Sequence, residues 1–119
     1  MASLLAWWGR CAARGFGFLL LLLMLWPAQV LADGGQLFQQ HCAGCHVNGG
    51  NIIRRGKTLK LAVLDRQGIG SAQAIAAIAA EGVGQMSGYG DVLGQQGSEE
   101  VAAWVWEQAK AGWPRDQKA

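Results

Sequence analysis

The sequence predicts an all-α fold of three to four short helices. Three observations point there. No stretch alternates apolar and polar residues as a half-buried strand does, and runs of β-branched residues are few. Helix start and stop signals recur from residue 33 onward. The segments between them are long and rich in glycine, and such loops in a small domain are costly to order unless they wrap something.

The spacing predicts a first helix over 34–45, with Asp33 as its N-cap and Leu37, Phe38 and Cys42 near one face. A short second helix is expected over 58–67, where Leu59, Ala62, Val63 and Leu64 are apolar and Gly68 stops the run. Residues 71–81 are Ala-rich, Ser71 caps them, Gly82 ends them, and Ile75 and Ile78 fall on one face. The strongest signals mark 98–111. Ser98 sits at the N-cap, Glu99 and Glu100 suit the positive end of the helix dipole, and Lys110 suits the last turn. Val101, Trp104, Val105 and Gln108 share a face there; Gly112 stops the helix and Pro114 follows. Residues 47–57 and 82–97 read as Gly-rich loops.

A chain of 119 residues holds one small domain at most, and its first 32 residues read as an address. Residues 1–14 carry Arg10 and Arg14 and no acid, 16–26 are apolar with a Leu-rich centre, Pro27 breaks the run, and Val30-Leu31-Ala32 suits a signal peptidase. We expect a signal peptide over 1–32, removed before Asp33, and a domain over 33–119 with no stable membrane insertion afterwards. The alternative is a retained anchor, since 16–32 are uncharged and a span takes roughly 17–25 residues; Pro27 and Gln29 sit where an anchor would carry Leu. Cys11 precedes the apolar run and is not placed for lipid attachment. Export implies a lumenal, periplasmic or extracellular home, which permits disulfides.

From Asp33 onward eight bases balance eight acids, which argues against a nucleic-acid binder. A core of this size is marginal and often needs a disulfide, a metal or a cofactor as a staple.

Cys42-Ala43-Gly44-Cys45-His46 reads C-x-x-C-H, the signature for covalent attachment of a c-type haem. Two thiols three apart can each add to one vinyl group of a haem lying against the turn. Ala43 and Gly44 let the porphyrin edge approach the backbone. His46 then supplies an imidazole to the iron, and its other ring nitrogen should donate to a backbone carbonyl. Three other readings exist. A thioredoxin-like redox pair lacks its βαβ pattern here. Half of a zinc site lacks a second ligand pair beyond His41 and His46. A structural disulfide this short closes almost no loop. Met86 is the only Met beyond residue 32 and lies in a Gly-flanked segment forty residues after His46. It is the expected second axial ligand, and the His/Met pairing favours electron transfer. With both axial positions taken, no site remains for oxygen or substrate, so a carrier is expected and not an enzyme, with no catalytic residue. His41, one residue before Cys42, reads as a surface histidine.

Beyond the haem motif the sequence resembles the cytochrome c6 family of class I c-type cytochromes. The matching residues are Gly34 and Phe38, Gly49-Gly50-Asn51-Ile52-Ile53, Lys57-Thr58-Leu59-Lys60, the Met86 loop with Tyr89-Gly90, Ala102-Ala103-Trp104-Val105 and the closing Gly112-Trp113. The resemblance implies a class I cytochrome c fold around one covalent haem c. It places Gly34 and Phe38 where the first and last helices cross, against Trp104 or Val105. It implies an electron carrier between the cytochrome b6-f complex and photosystem I, in a thylakoid lumen or a periplasmic space, with a terminal oxidase as another acceptor. Three positions depart from the family's pattern: Ser87 replaces the Pro after the ligand Met, Val92 an Arg used in docking, and Ile78 a Gln near the ring. An aliphatic side chain in place of that Gln implies a lower potential. A low-potential carrier serving another acceptor, or a redox-regulatory role, is therefore the alternative. Arg54, Arg55, Lys57 and Lys60 form a basic stretch that reads either as a solvated loop or as a propionate-pairing or docking segment.

Overall fold

The computed structural model describes residues 33–115. The leader expected over 1–32, with Cys11, lies outside them.

Helix α1 spans Gly34–His41. Asp33 is extended, and its carboxylate accepts from the Gly35 N–H at 3.2 Å. The helix stops short of the expected Cys45. The N–H groups of Cys42 and Ala43 both donate to the Phe38 carbonyl, and those of Cys45 and His46 both donate to the Cys42 carbonyl. The C-x-x-C-H residues therefore form a turn, which projects them from the end of α1. A 3₁₀ turn over Val47–Gly49 follows inside the first expected loop, with Asn48 left-handed (φ 49°). Gly49 (φ 73°) is held under the indole of Trp113, and any Cβ there would run into that ring.

Helix α2, Leu61–Arg66, begins three residues later than the sequence suggested. The backbone of Leu59 is already committed elsewhere: its N–H donates to the Gly49 carbonyl at 2.8 Å, and its carbonyl accepts from the Trp113 indole at 3.0 Å. Helix α3, Ala72–Glu81, follows its expected course, with the Ser71 hydroxyl accepting from the Ala74 N–H. Two short antiparallel strands, β1 (Gly82–Val83) and β2 (Met86–Ser87), then form a hairpin pairing Val83 with Met86. This hairpin was expected to be loop, because two-residue strands leave no alternation to read.

Helix α4 runs Gly90–Ala111, eight residues earlier than expected, with a kink at Gly94 (φ 65°, ψ −179°). Ser98 lies within the helix and not at its start; its hydroxyl donates to the Gly94 carbonyl at 2.8 Å. Gly112 caps the C-terminus in the left-handed conformation.

Helix α4 packs on α3 and crosses α1. At the crossing, Gly34 faces the Glu100 backbone and the Trp104 Cβ, an approach that only a missing side chain allows. Phe38 lies between Trp104 (ring centroids 4.9 Å apart) and Trp113 (5.5 Å). The core consists of Phe38, Leu64, Ile75, Ala79, Val101, Ala102, Val105, Ala109 and Trp113. Among the described residues no helix is long and apolar enough to cross a membrane.

Candidate functional site

The sequence-predicted site residues converge on one cavity of about 540 Å³. Cys42, Cys45 and His46 come from the turn after α1. Met86 comes from β2, and Phe38, Leu64, Ile75, Val101 and Val105 supply apolar walls. The core is thus folded around a space and not packed solid. A larger groove, about 790 Å³, runs between α3 and α4 past Ala72, Ala76, Gly90 and Gly94, and carries no thiol, imidazole or thioether.

His46 is buried, and its Nδ1 donates to the Gly50 carbonyl at 2.8 Å. A carbonyl only accepts, so the proton sits on Nδ1 and the Nε2 lone pair is left to bind a metal. This is the backbone partner that the sequence analysis anticipated for the second ring nitrogen. Cys42 is half-buried and Cys45 exposed, and both are free thiols. Burial pushes the Cys42 thiol up, and the neighbouring Cys45 adds to this. Among the described residues no group of three or more His, Cys, Asp and Glu is placed to hold a metal ion.

Met86 is half-buried on the hairpin that follows α3. Glycines hold that hairpin close to the helix end: a Cβ on Gly88 would lie 2.5 Å from the Ala80 carbonyl oxygen, and one on Gly82 2.5 Å from that of Met86. The hairpin therefore fixes the position of the thioether more tightly than a loop would.

The rim is polar on one side. The Asn51 side chain accepts from the N–H groups of Ile53 (3.0 Å) and Arg54 (2.7 Å) and donates to the Lys57 carbonyl (3.0 Å). This organises a loop from which Arg54 and Lys57 border the cavity, with Lys57 donating to the Gln67 side chain at 3.2 Å. The Thr58 hydroxyl, also at the cavity, is buried with no partner. A buried hydroxyl is costly to leave unpaired, so this atom marks where a polar part of a bound group belongs.

Sequence reasoning missed Thr58, Gln67 and Tyr89 at this site. Their proximity is tertiary; only Asn51, two residues before the N–H it binds, offered a local Asx-turn signal. His41 also departs from expectation. It is half-buried at the cavity, 6.1 Å from the Tyr89 ring, and is not a free surface group. Ile78 lines the cavity, whereas Val92 is 64% exposed and away from it.

The site offers a largely apolar volume, two thiols, nitrogen and sulfur donors, and a polar rim with an unpaired hydroxyl. A covalently attached haem fits each of these features.

Residues 29–105 match a family model described as cytochrome c oxidase, cbb3-type, subunit III. A protein described as cytochrome c6-like, from Nostoc sp. (strain PCC 7120), is 48% identical over 99 residues, covering 81% of this chain and 89% of that one. Among solved structures, cytochrome c6B from Synechococcus sp. WH8102 is 66% identical with a TM-score of 0.67, covering 69% of this chain and 93% of that one. Cytochrome c6C from Synechococcus sp. PCC 7002 is 46% identical with a TM-score of 0.64, covering 66% and 95% respectively.

Proposed function

The chain belongs to the cytochrome c6 family, and from that premise we propose that it shuttles electrons between the cytochrome b6-f complex and photosystem I. Members of this family are electron carriers with one covalent haem c, and this chain is a cytochrome c6-like carrier of that kind. Cys42 and Cys45 would hold the haem by thioether bonds, and His46 and Met86 would supply the nitrogen and sulfur donors to its iron. The leader over 1–32 exports the chain to a thylakoid lumen, or to a periplasmic space, and is removed there.

One observation carries the reading. A single cavity gathers both thiols, an imidazole with its Nδ1 already tied to Gly50, and the thioether of Met86. When bound, the haem supplies a one-electron couple at its iron. The rest is the work of the chain. The Gly50 carbonyl fixes the His46 ring, so the imidazole need not turn between oxidation states. The glycine-pinned hairpin does the same for Met86. With both donors held by the chain, reorganisation on electron transfer would be small and substrate would find no place at the iron. Phe38, Leu64, Ile75 and Val101 exclude water from the cavity walls, which tunes the potential.

A redox-resolved absorption spectrum with potentiometry on the exported protein tests this. The expected result is a low-spin spectrum in both oxidation states and no carbon monoxide binding at neutral pH. Colourless protein, or thiols open to alkylation, would overturn it.

Ile78, Ser87 and Val92 favour a second reading, in which the same site works at lower potential for another acceptor, such as a terminal oxidase, or in redox regulation. Midpoint potential and electron-transfer rates with b6-f and photosystem I preparations separate the two.

A further inference from the structure

We infer that Trp113 is a positioning residue for His46: from the C-terminal end of α4 it clamps the loop whose Gly50 carbonyl holds the imidazole, and through that carbonyl it tunes the reduction potential. The inference rests on the reading of His46 as a ligand to the haem iron and adds what holds that ligand in place.

The acceptor of the His46 Nδ1–H begins a segment, residues 50–60, that forms neither helix nor strand. Among the described residues every other side-chain hydrogen bond joins residues ten or fewer apart, whereas the one from the Trp113 indole to the Leu59 carbonyl, at 3.0 Å, spans 54. It ties this segment to the far end of the fold. From Leu59 the fixation passes inward. The Leu59 N–H donates to the Gly49 carbonyl at 2.8 Å, and the Gly50 N–H donates to the Val47 carbonyl at 2.9 Å. The peptide joining Gly49 to Gly50 is thus held at both its oxygen and its N–H. That leaves the Gly50 carbonyl little freedom to turn away from the His46 ring, 2.8 Å distant. The indole also lies against Gly49 itself, where no side chain would fit.

The backbone of Trp113 argues that its placement is more than core filling. Its φ is 54°, and of the other described non-glycine residues only Asn48 has a positive φ. A bulky residue rarely adopts that conformation, and Pro114 narrows its choices further. Strain of this kind persists only where the surroundings over-determine it. They do so here: the Trp113 N–H donates to the Gln108 carbonyl at 2.9 Å, and the ring centroid lies 5.5 Å from that of Phe38 and 5.7 Å from that of Trp104. A side chain that only filled the crossing of α1 and α4 would need the ring but not its N–H, and the N–H goes to the loop. A hydrogen-bonded Nδ1–H makes an imidazole a stronger donor to a metal, which favours the oxidised state. Loosening the Gly50 acceptor therefore raises the midpoint.

The test uses the haem-loaded protein with Trp113→Phe, which keeps an aromatic ring and removes the N–H. Beside it stands Ala102→Gly, a core change on α4 that does not line the cavity. Nuclear magnetic resonance reads exchange of the His46 Nδ1 proton, and potentiometry reads the midpoint. Trp113→Phe should raise the midpoint and speed that exchange at least about five-fold over Ala102→Gly, roughly the worth of one hydrogen bond. Ala102→Gly should lower stability in a denaturant titration and leave the midpoint unchanged. Unmoved exchange and midpoint in Trp113→Phe would overturn the inference. So would a midpoint that Ala102→Gly moves equally, which would make lost stability the cause. The unaltered protein gives a check that needs no variant to fold. Its Trp113 indole, Leu59 amide and His46 Nδ1 protons should share protection from exchange within about ten-fold, and an indole proton that opens apart from the other two would overturn the clamp. If the oxidised protein shows no hyperfine-shifted His46 ring protons, the ligand reading fails and this inference with it; shifted protons indifferent to Trp113→Phe count against the clamp alone.

Discussion

His46 and Ile78 act on the same cavity in different ways. His46 is fixed by a local bond, from Nδ1 to a carbonyl four residues on, and that bond decides which ring nitrogen faces the cavity. Ile78 lines the cavity and acts by what it withholds: an aliphatic group on the cavity wall offers no hydrogen bond to a bound group. Ile78→Gln should therefore raise the midpoint by tens of millivolts, roughly the worth of one hydrogen bond at about 1 kcal/mol; potentiometry checks it, and an unchanged midpoint would remove Ile78 as the tuning residue. Met86→Leu keeps the side-chain volume and deletes the sulfur. The expected outcome is a change from low-spin to high-spin absorption together with carbon monoxide binding, while circular dichroism stays native-like.

At the scale of elements, two glycines are required for opposite reasons. Gly34 has an ordinary helical backbone but no room, since a Cβ there meets the Glu100 carbonyl and the Trp104 Cβ. Gly94 has open space around it but a backbone (φ 65°, ψ −179°) that is nearly closed to other residues. Gly34→Ala should cost about 1–3 kcal/mol by forcing α1 and α4 apart. Gly94→Ala should cost a similar amount, about 1–3 kcal/mol, through backbone strain alone. Denaturant titration reads both. A second, small change on α1 should couple to Gly34→Ala and be additive with Gly94→Ala. The elements themselves were unevenly legible. The caps at Asp33, Ser71 and Gly112 stood in the sequence, because a cap is a bond between near neighbours. The starts of α2 and α4 did not. Leu59 is withheld from a helix by Gly49 and Trp113, and Ser98, which looks like a cap, sits inside a helix that Gly94 kinks.

For the molecule as a whole, most of the core side chains are also site side chains. Phe38, Leu64, Ile75, Ala79, Val101 and Val105 belong to the hydrophobic core and also wall the cavity. A domain this small has little other apolar surface to bury, so its stability depends on the bound group as much as on its own packing. Cys42→Ser with Cys45→Ser removes covalent attachment without changing side-chain volume greatly. That double variant should lose the sharp thermal transition expected of the haem-loaded protein, as read by circular dichroism. A variant that melts as cooperatively as the loaded protein would show that the walls close without the group.

The sequence by itself determined what is local or chemical: the helical class, the four segments, the thiol pair with its adjacent imidazole, the lone Met beyond residue 32, and the balance of charge. Each is written in spacing or residue type, which folding does not alter. Only the tertiary structure decided which side chains share a space. It brought Thr58, His41, Gln67 and Tyr89 to the cavity, set Trp113 over Gly49 and made a hairpin of the Met86 segment. Those are contacts between residues far apart in the chain, set by how helices cross and where backbone groups find partners, and no local pattern encodes them.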